Sequence, residues 1–141
     1  MEYMAISEVA RKAGLQASAI RYYEQIQLMP PAHRVTGQRR YDATALYRLA
    51  AIQHAQRLGF SLEEIRELFF GFRATLPASK RWRRLSERKL AELNDLAEAI
   101  RTMKALLRRM MRRCRCETLD QCGKAIYLRN SKLRVAAEPR K

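Results

Sequence analysis

Between Lys80 and Arg112 the chain contains neither Gly nor Pro, and Leu93, Leu96, Ile100, Met103, Leu107 and Met110 recur at intervals of three and four. Alternating intervals of this kind lay one apolar stripe along an α-helix, as the a/d seam of a coiled coil. Such a segment rises 1.5 Å per residue, which gives a helix of roughly 50 Å. The preceding segment of about 70 residues is too small to cover a stripe of that length, so a partner helix is required. A homodimer through this helix is the simplest solution, because most soluble oligomers are symmetric. The alternative is that the helix folds back onto its own domain.

The segments before it also read as helices. Ser7 is a candidate N-cap with Ile6 as its staple residue, Val9, Ala10 and Ala13 share one face, and Gly14 ends the helix. After a tight connection, Ser18 is expected to cap a second helix carrying Ile20, Arg21, Tyr22, Tyr23 and Glu24. Two short helices joined by a turn form the helix-turn-helix pattern, whose second helix can enter a DNA major groove. The stretch from Leu28 to Tyr41, with two prolines and Gly37, predicts a loop or small hairpin with a basic tip. Asp42 caps a further helix that Gly59 closes, and Ser61-Leu-Glu-Glu64 is a capping box that opens another. The expectation is therefore a mainly α chain with residues 1–76 as a DNA-binding domain and 79–112 as the dimerisation helix. A cysteine loop over 113–124 and a basic tail over 125–141 complete it.

Charge narrows the partner. The chain of 141 residues has 29 basic and 14 acidic residues, a net +15. Before position 79 there are 10 basic and 7 acidic residues; the remainder holds 19 and 7, so most of the excess lies in the C-terminal part. A positive field of this size favours a polyanion such as nucleic acid. No apolar run approaches the ~18 residues of a membrane span, and Met1–Ala13 mixes charges into its apolar residues, so a cytoplasmic protein without a membrane partner is expected. Three cysteines, all between Cys114 and Cys122, suit a reducing compartment in which grouped thiols serve as ligands or redox groups. Neither His33 nor His54 stands at a catalytic spacing from a carboxylate or thiol, and there is no glycine-rich phosphate loop, so an enzyme is not expected.

Ile20-Arg-Tyr-Tyr-Glu24, Leu28-Met-Pro-Pro, Arg34, Gly37-Gln-Arg-Arg-Tyr41 and Leu58-Gly-Phe-Ser-Leu-Glu-Glu-Ile65 follow one another in order. Together with the long helix they resemble the MerR family of bacterial transcriptional regulators over roughly residues 4 to 123. The resemblance implies a winged helix-turn-helix homodimer with an antiparallel coiled coil, bound to double-stranded promoter DNA. Such a dimer bends and untwists the promoter so that RNA polymerase can engage both promoter elements. Two departures stand out: Ala19 where Thr is common, and Gln27 where Gly usually follows the Arg-Tyr-Tyr-Glu motif, which predicts an altered turn.

The candidate DNA face comprises Ser18, Arg21 and Tyr22 on the second helix and Arg34, Arg39, Arg40 and Tyr41 on or beside the wing. Guanidinium groups pair with phosphates or guanine edges, and tyrosine hydroxyls donate to phosphates. For Tyr23 and Tyr41 the alternative is packing, and for the arginines a merely solvated basic loop. An architectural nucleic-acid-binding protein would also account for the charge, though not for the cysteines.

Cys114, Cys116 and Cys122 follow directly on the coiled coil, and Arg112, Arg113 and Arg115 are expected to lower their pKa values. The resemblance offers two branches. In metal-sensing members, two loop cysteines at the spacing of Cys114 and Cys122 bind a thiophilic ion, and the partner's long helix adds a residue at the position of Ser79. Serine there leans toward a copper(I)-like ion; the extra Cys116 also suits a zinc-like one. In the SoxR-like redox-sensing branch, four cysteines ending in the same three-cysteine spacing hold a [2Fe–2S] cluster, and Trp82 with Leu85-Ser86 resembles that branch too. Met111 stands where the fourth cysteine would fall. In the tail, Ile126, Tyr127 and Leu128 either fold over the loop or fray, and Arg129–Lys141 is expected to be disordered.

Overall fold

The computed structural model describes residues 2–137. In chain order the elements are α1 (Ile6–Ala13), α2 (Ala17–Gln25), β1 (His33–Val35), β2 (Gln38–Arg40), α3 (Ala43–Arg57), α4 (Leu62–Phe70), α5 (Ala78–Arg113) and α6 (Leu119–Ala137). They form two compact units, Met1–Glu92 and Leu93–Lys141. No helix among the described residues is long and apolar enough to cross a membrane.

In the first unit, Val9, Ile20, Leu28, Leu49, Ile52, Ile65 and Leu85 are fully buried and draw α1 to α4 and the start of α5 around one core. Two N-caps act as their sequence predicts. Asp42 accepts from the Thr44 amide at 2.9 Å, and Ser61 and Glu64 exchange side chain-to-amide hydrogen bonds in a full capping box. The other two do not. Helix α1 starts one residue before Ser7 and α2 starts one residue before Ser18, and the cap positions, Ala5 and Gln16, make no side-chain bond. A backbone bridge between Met4 and Tyr41, at 2.7 and 2.9 Å, ends the extended chain at Ala5 and sets where α1 begins.

The hairpin pairs His33 with Arg40, Arg34 with Arg39 and Val35 with Gln38. Its two-residue turn places Thr36 and Gly37 at positive φ, 49° and 77°, the mirror-image turn that matches strand twist. Gln27 takes φ 63°, the left-handed region that its place after the Arg-Tyr-Tyr-Glu motif demands, and its amide oxygen accepts from Arg66 at 2.8 Å.

Helix α5 divides its side chains along its length. Leu85 is buried, Trp82 meets Phe60 and His54 edge-on at 6.1 and 6.2 Å, and Lys89 is buried against Glu64 and Glu92 at 2.8 and 3.1 Å. The start of the helix thus folds back onto its own domain, and Trp82 is explained by packing. From Leu90 onward the apolar side chains are exposed, including all six of the seam. The stretch expected to be disordered is instead helical as far as Ala137; residues 138–141 lie outside the described residues.

Candidate DNA face and cysteine centre

On α2, Ser18, Arg21 and Tyr22 are exposed, while Ile20 and Tyr23 on the opposite side are buried. The Tyr23 hydroxyl reaches Gln56 at 3.4 Å, so Tyr23 packs. On the wing, Arg34 is exposed and donates to the Gly37 carbonyl at 3.1 Å, and Arg40 donates to Gln38 at 2.7 Å. Arg39 is half-buried and pairs with Glu24 at 2.9 Å. Tyr41 departs from the expected phosphate role. It is 3% exposed and its hydroxyl donates to Glu24, so it joins the wing to α2 and leaves no hydroxyl for DNA. Burial, with the bond to Glu24 and that carboxylate's charge, pushes its pKa up to about 12.

The sequence gives no local signal for Arg81, yet its guanidinium is the busiest donor in the first unit. It reaches the carbonyls of Leu76 (2.9 Å), Arg73 (3.0 Å), Phe69 (3.2 Å), Ala74 (3.3 Å) and Leu68 (3.4 Å). Leu68 and Phe69 are in the last turn of α4, where a helix end leaves carbonyls without intrahelical partners; Arg73, Ala74 and Leu76 belong to the connection to α5, and the Arg73 carbonyl also accepts from the Leu76 amide at 2.9 Å.

The second unit carries the cysteines. Helix α5 ends at Arg113 and α6 begins at Leu119, so the loop proper is short: Cys114 and Cys116 lie before α6 and Cys122 lies in its first turns. The three sulfurs are all within 4.8 Å of one another, and those of Cys114 and Cys122 are 3.5 Å apart. Hydrogen bonds from the Cys116 amide and from the other two thiols hold Cys114 below the usual thiol range, with the Arg115 charge a lesser contribution. The same sulfur contacts push Cys122 up to about 12. The expected effect of the arginines is thus largely replaced at Cys114 by hydrogen bonding from the Cys116 amide and the neighbouring thiols. Ile126 lies beside the cysteines, and it, Tyr127 and Leu128 are all exposed. Ser79 is exposed in the first turn of α5 and belongs to the first unit.

Metal–thiolate bonds of about 2.3 Å in a tetrahedral or trigonal site separate sulfurs by roughly 4 Å. The observed spacings need only sub-ångström to ångström adjustment, and thiolates suit soft ions. The residues present therefore fit a thiophilic metal ion. A four-ligand iron–sulfur cluster finds three cysteines among the described residues and the exposed Met111 in the fourth place.

Comparison with known proteins places the whole arrangement. Residues 4–70 match the family described as "MerR HTH family regulatory protein", and residues 46–110 match "MerR, DNA binding". The HTH-type transcriptional regulator HmrR of Rhizobium leguminosarum bv. viciae is 31% identical over 119 residues, 84% of this chain and 92% of that protein. The protein named "Heavy metal-dependent transcription regulator 2" of Rhizobium meliloti is 31% identical over 136 residues, 96% of this chain and 92% of that protein. The crystal structure of the transcription regulator PbrR691 from Ralstonia metallidurans CH34, in complex with lead(II), superposes with a TM-score of 0.69. It is 28% identical and covers 82% of this chain and 91% of its own. The helix-turn-helix, the wing and the long helix after them are thus those of a regulator and not of an enzyme, and the chain belongs to the MerR family of DNA-binding transcriptional regulators.

Proposed function

We propose that the protein is a metal-responsive regulator that acts as a homodimer on promoter DNA. Residues 1–76 bind the operator, 79–112 pair the two copies, 113–124 hold the effector and 125–141 flank it. The observation that carries the reading is the convergence of three thiol sulfurs within 4.8 Å at the end of the pairing helix. Cys114, Cys116 and Cys122 hold a thiophilic ion, copper(I)-like or zinc-like, and Ser79 of the partner subunit contributes to the site.

Pairing is supported by the seam: Leu93, Leu96, Ile100, Met103, Leu107 and Met110 are each 48% or more exposed in the single chain, and covering such a stripe is the driving force for association. On DNA, Arg21, Tyr22, Arg34 and Arg40, with Ser18 beside them, are the available groups, and Arg39 contributes where it can leave Glu24. Metal binding in a cytoplasmic setting then biases the dimer toward the conformation that bends and untwists the promoter, letting RNA polymerase initiate.

The test is elemental analysis of anaerobically purified protein beside a Cys114→Ser, Cys116→Ser, Cys122→Ser series, read together with an inducible promoter assay. One soft ion per chain, lost with the serine variants along with induction, is expected. Acid-labile sulfide with visible charge-transfer absorption would replace this reading with a cluster-based redox sensor.

A further inference from the structure

On the homodimer reading, on which the following proposal rests, the exposed seam of α5 is covered by a second copy, and the charges of the helix decide how that copy lies. All four acidic residues of α5, Glu87, Glu92, Asp95 and Glu98, fall in its first two-thirds. The stretch from Arg101 to Arg113 holds six basic residues and no acidic one. Two copies running the same way would set those basic stretches against each other, whereas copies running in opposite directions set each basic stretch on an acidic one. Charges beside an apolar seam select orientation and partner in this manner.

The seam then fixes the offset. With all six residues matched, Leu93 lies opposite the partner's Met110, Leu96 opposite the partner's Leu107 and Ile100 opposite the partner's Met103, symmetric about the Arg101–Thr102 peptide bond. A slip of one heptad in one direction sets Leu107 and Met110 against the partner's Lys89 and the partner's Ser86. A slip in the other direction carries Leu93 and Leu96 past the end of the partner helix, which α5 reaches at Arg113. At the matched offset the residues flanking the seam also complement each other: Ala99 meets the partner's Leu106, a small side chain against a large one, and Glu92 meets the partner's Arg113. Glu92 is 56% exposed and its ion pair within the chain is with Lys89; Arg113 is exposed and takes part in none of the ion pairs among the described residues.

We propose that Glu92 pairs with the partner's Arg113, twice by symmetry, and that these two pairs set the register and the partner choice of the dimer. Arginine suits the task because its planar fork matches a carboxylate in two parallel hydrogen bonds. Arg113 directly precedes Cys114, and within one copy Lys89 joins Glu92 at 3.1 Å to Glu64 at 2.8 Å, in the first turn of α4. Each pair therefore ties the edge of one cysteine centre to α4 of the other copy.

The experiment mixes two full-length variants, Glu92→Arg and Arg113→Glu, one of them isotopically labelled, and counts the dimers by native mass spectrometry. Each variant alone sets like charges together at both pairs, while a dimer of one with the other sets opposite charges together at both. The loss of the Lys89 contact in Glu92→Arg falls equally on both kinds of dimer. About ten mixed dimers per unmixed dimer are expected, against one for indifferent pairing, because attraction replaces repulsion at two exposed sites. A second measurement needs no charge reversal: with Cys114, Cys116 and Cys122 changed to Ser, chains carrying Glu92→Cys are mixed with chains carrying Arg113→Cys and treated with a short bis-maleimide. Covalent dimers are expected from the mixture and from neither chain alone. Indifferent mixing of stable dimers, or no covalent dimer from the mixture, overturns the pair while the homodimer stands, and cross-linking of Glu92→Cys alone overturns the orientation. A wild-type protein that is monomeric by light scattering removes the homodimer reading itself.

Discussion

Arg39 on the second wing strand lies 2.9 Å from Glu24 at the end of α2, and the same carboxylate accepts the Tyr41 hydroxyl. One acidic side chain, itself 12% exposed, therefore fixes the wing against α2. Replacing it, as in Glu24→Ala, leaves two donors without their acceptor. The expected loss is about 1–3 kcal/mol, measured by urea denaturation, and Glu24→Gln should recover part of it by accepting from one donor.

Tyr41 makes stability depend on alkaline pH. Its hydroxyl titrates at about 12 in the folded protein against 10.0 ordinarily, because burial and Glu24 favour the neutral form. A raised folded-state pKa means that the contribution is fully present below pH 10.0 and is lost as the pH climbs from there through about 12. Thermal melts between pH 8 and 11 should therefore fall more steeply for the wild type than for Tyr41→Phe. Parallel curves would show that the hydroxyl is not buried as described.

Arg21 and Arg39 should fail differently. Arg21 is exposed on α2 and takes part in none of the ion pairs among the described residues, so Arg21→Ala is expected to weaken operator binding with unchanged stability. Removing one guanidinium–phosphate pair should lower the slope of log affinity against log salt by about 1. Arg39→Ala should also cost about 1 kcal/mol of stability through Glu24. A gel-shift salt titration beside a melt separates the two, and unchanged affinity in both variants would place the DNA face elsewhere.

Gln27 sits at φ 63° without being glycine. A β-branched residue meets a steep penalty in that region, so Gln27→Val should lose about 1–2 kcal/mol. Gln27→Gly should be tolerated, since relief of the backbone offsets the missing hydrogen bond from Arg66. Paired melts would refute the turn geometry if the two variants matched.

Ile100 occupies the middle of the exposed seam at 51% exposure. In a dimer its side chain is covered, so Ile100→Asp would bury a charge and should weaken association at least about a hundredfold. Light scattering after gel filtration is expected to show a monomer for the variant and a dimer for the wild type.

The parts legible in the sequence were those whose signal is local. Asp42 and the Ser61–Glu64 box announce helix starts because their partners lie two and three residues away. The seam announces itself through spacing alone. Ser7 and Ser18 misled because a serine near a helix start looks the same one position too late, and the Met4–Tyr41 bridge decided the start of α1 from a distance. Tyr41 suits either a phosphate or a core, and only the fold brings Glu24 to it. No local pattern marks Lys89 or Arg81, because carboxylates and carbonyls reach them only once α4 has packed. The cysteine cluster was visible, but its hydrogen-bonded sulfurs were not: the 3.5 Å contact between Cys114 and Cys122 depends on where the first turns of α6 bring Cys122.

Arg81 ties together the connection between α4 and α5. Five carbonyl oxygens from Leu68 to Leu76 converge on a single guanidinium. The path of the chain between the two helices therefore hangs on one side chain, and loss of that side chain would release all five carbonyls together. Its planar, five-donor fork is a group that lysine, with its point charge, cannot imitate.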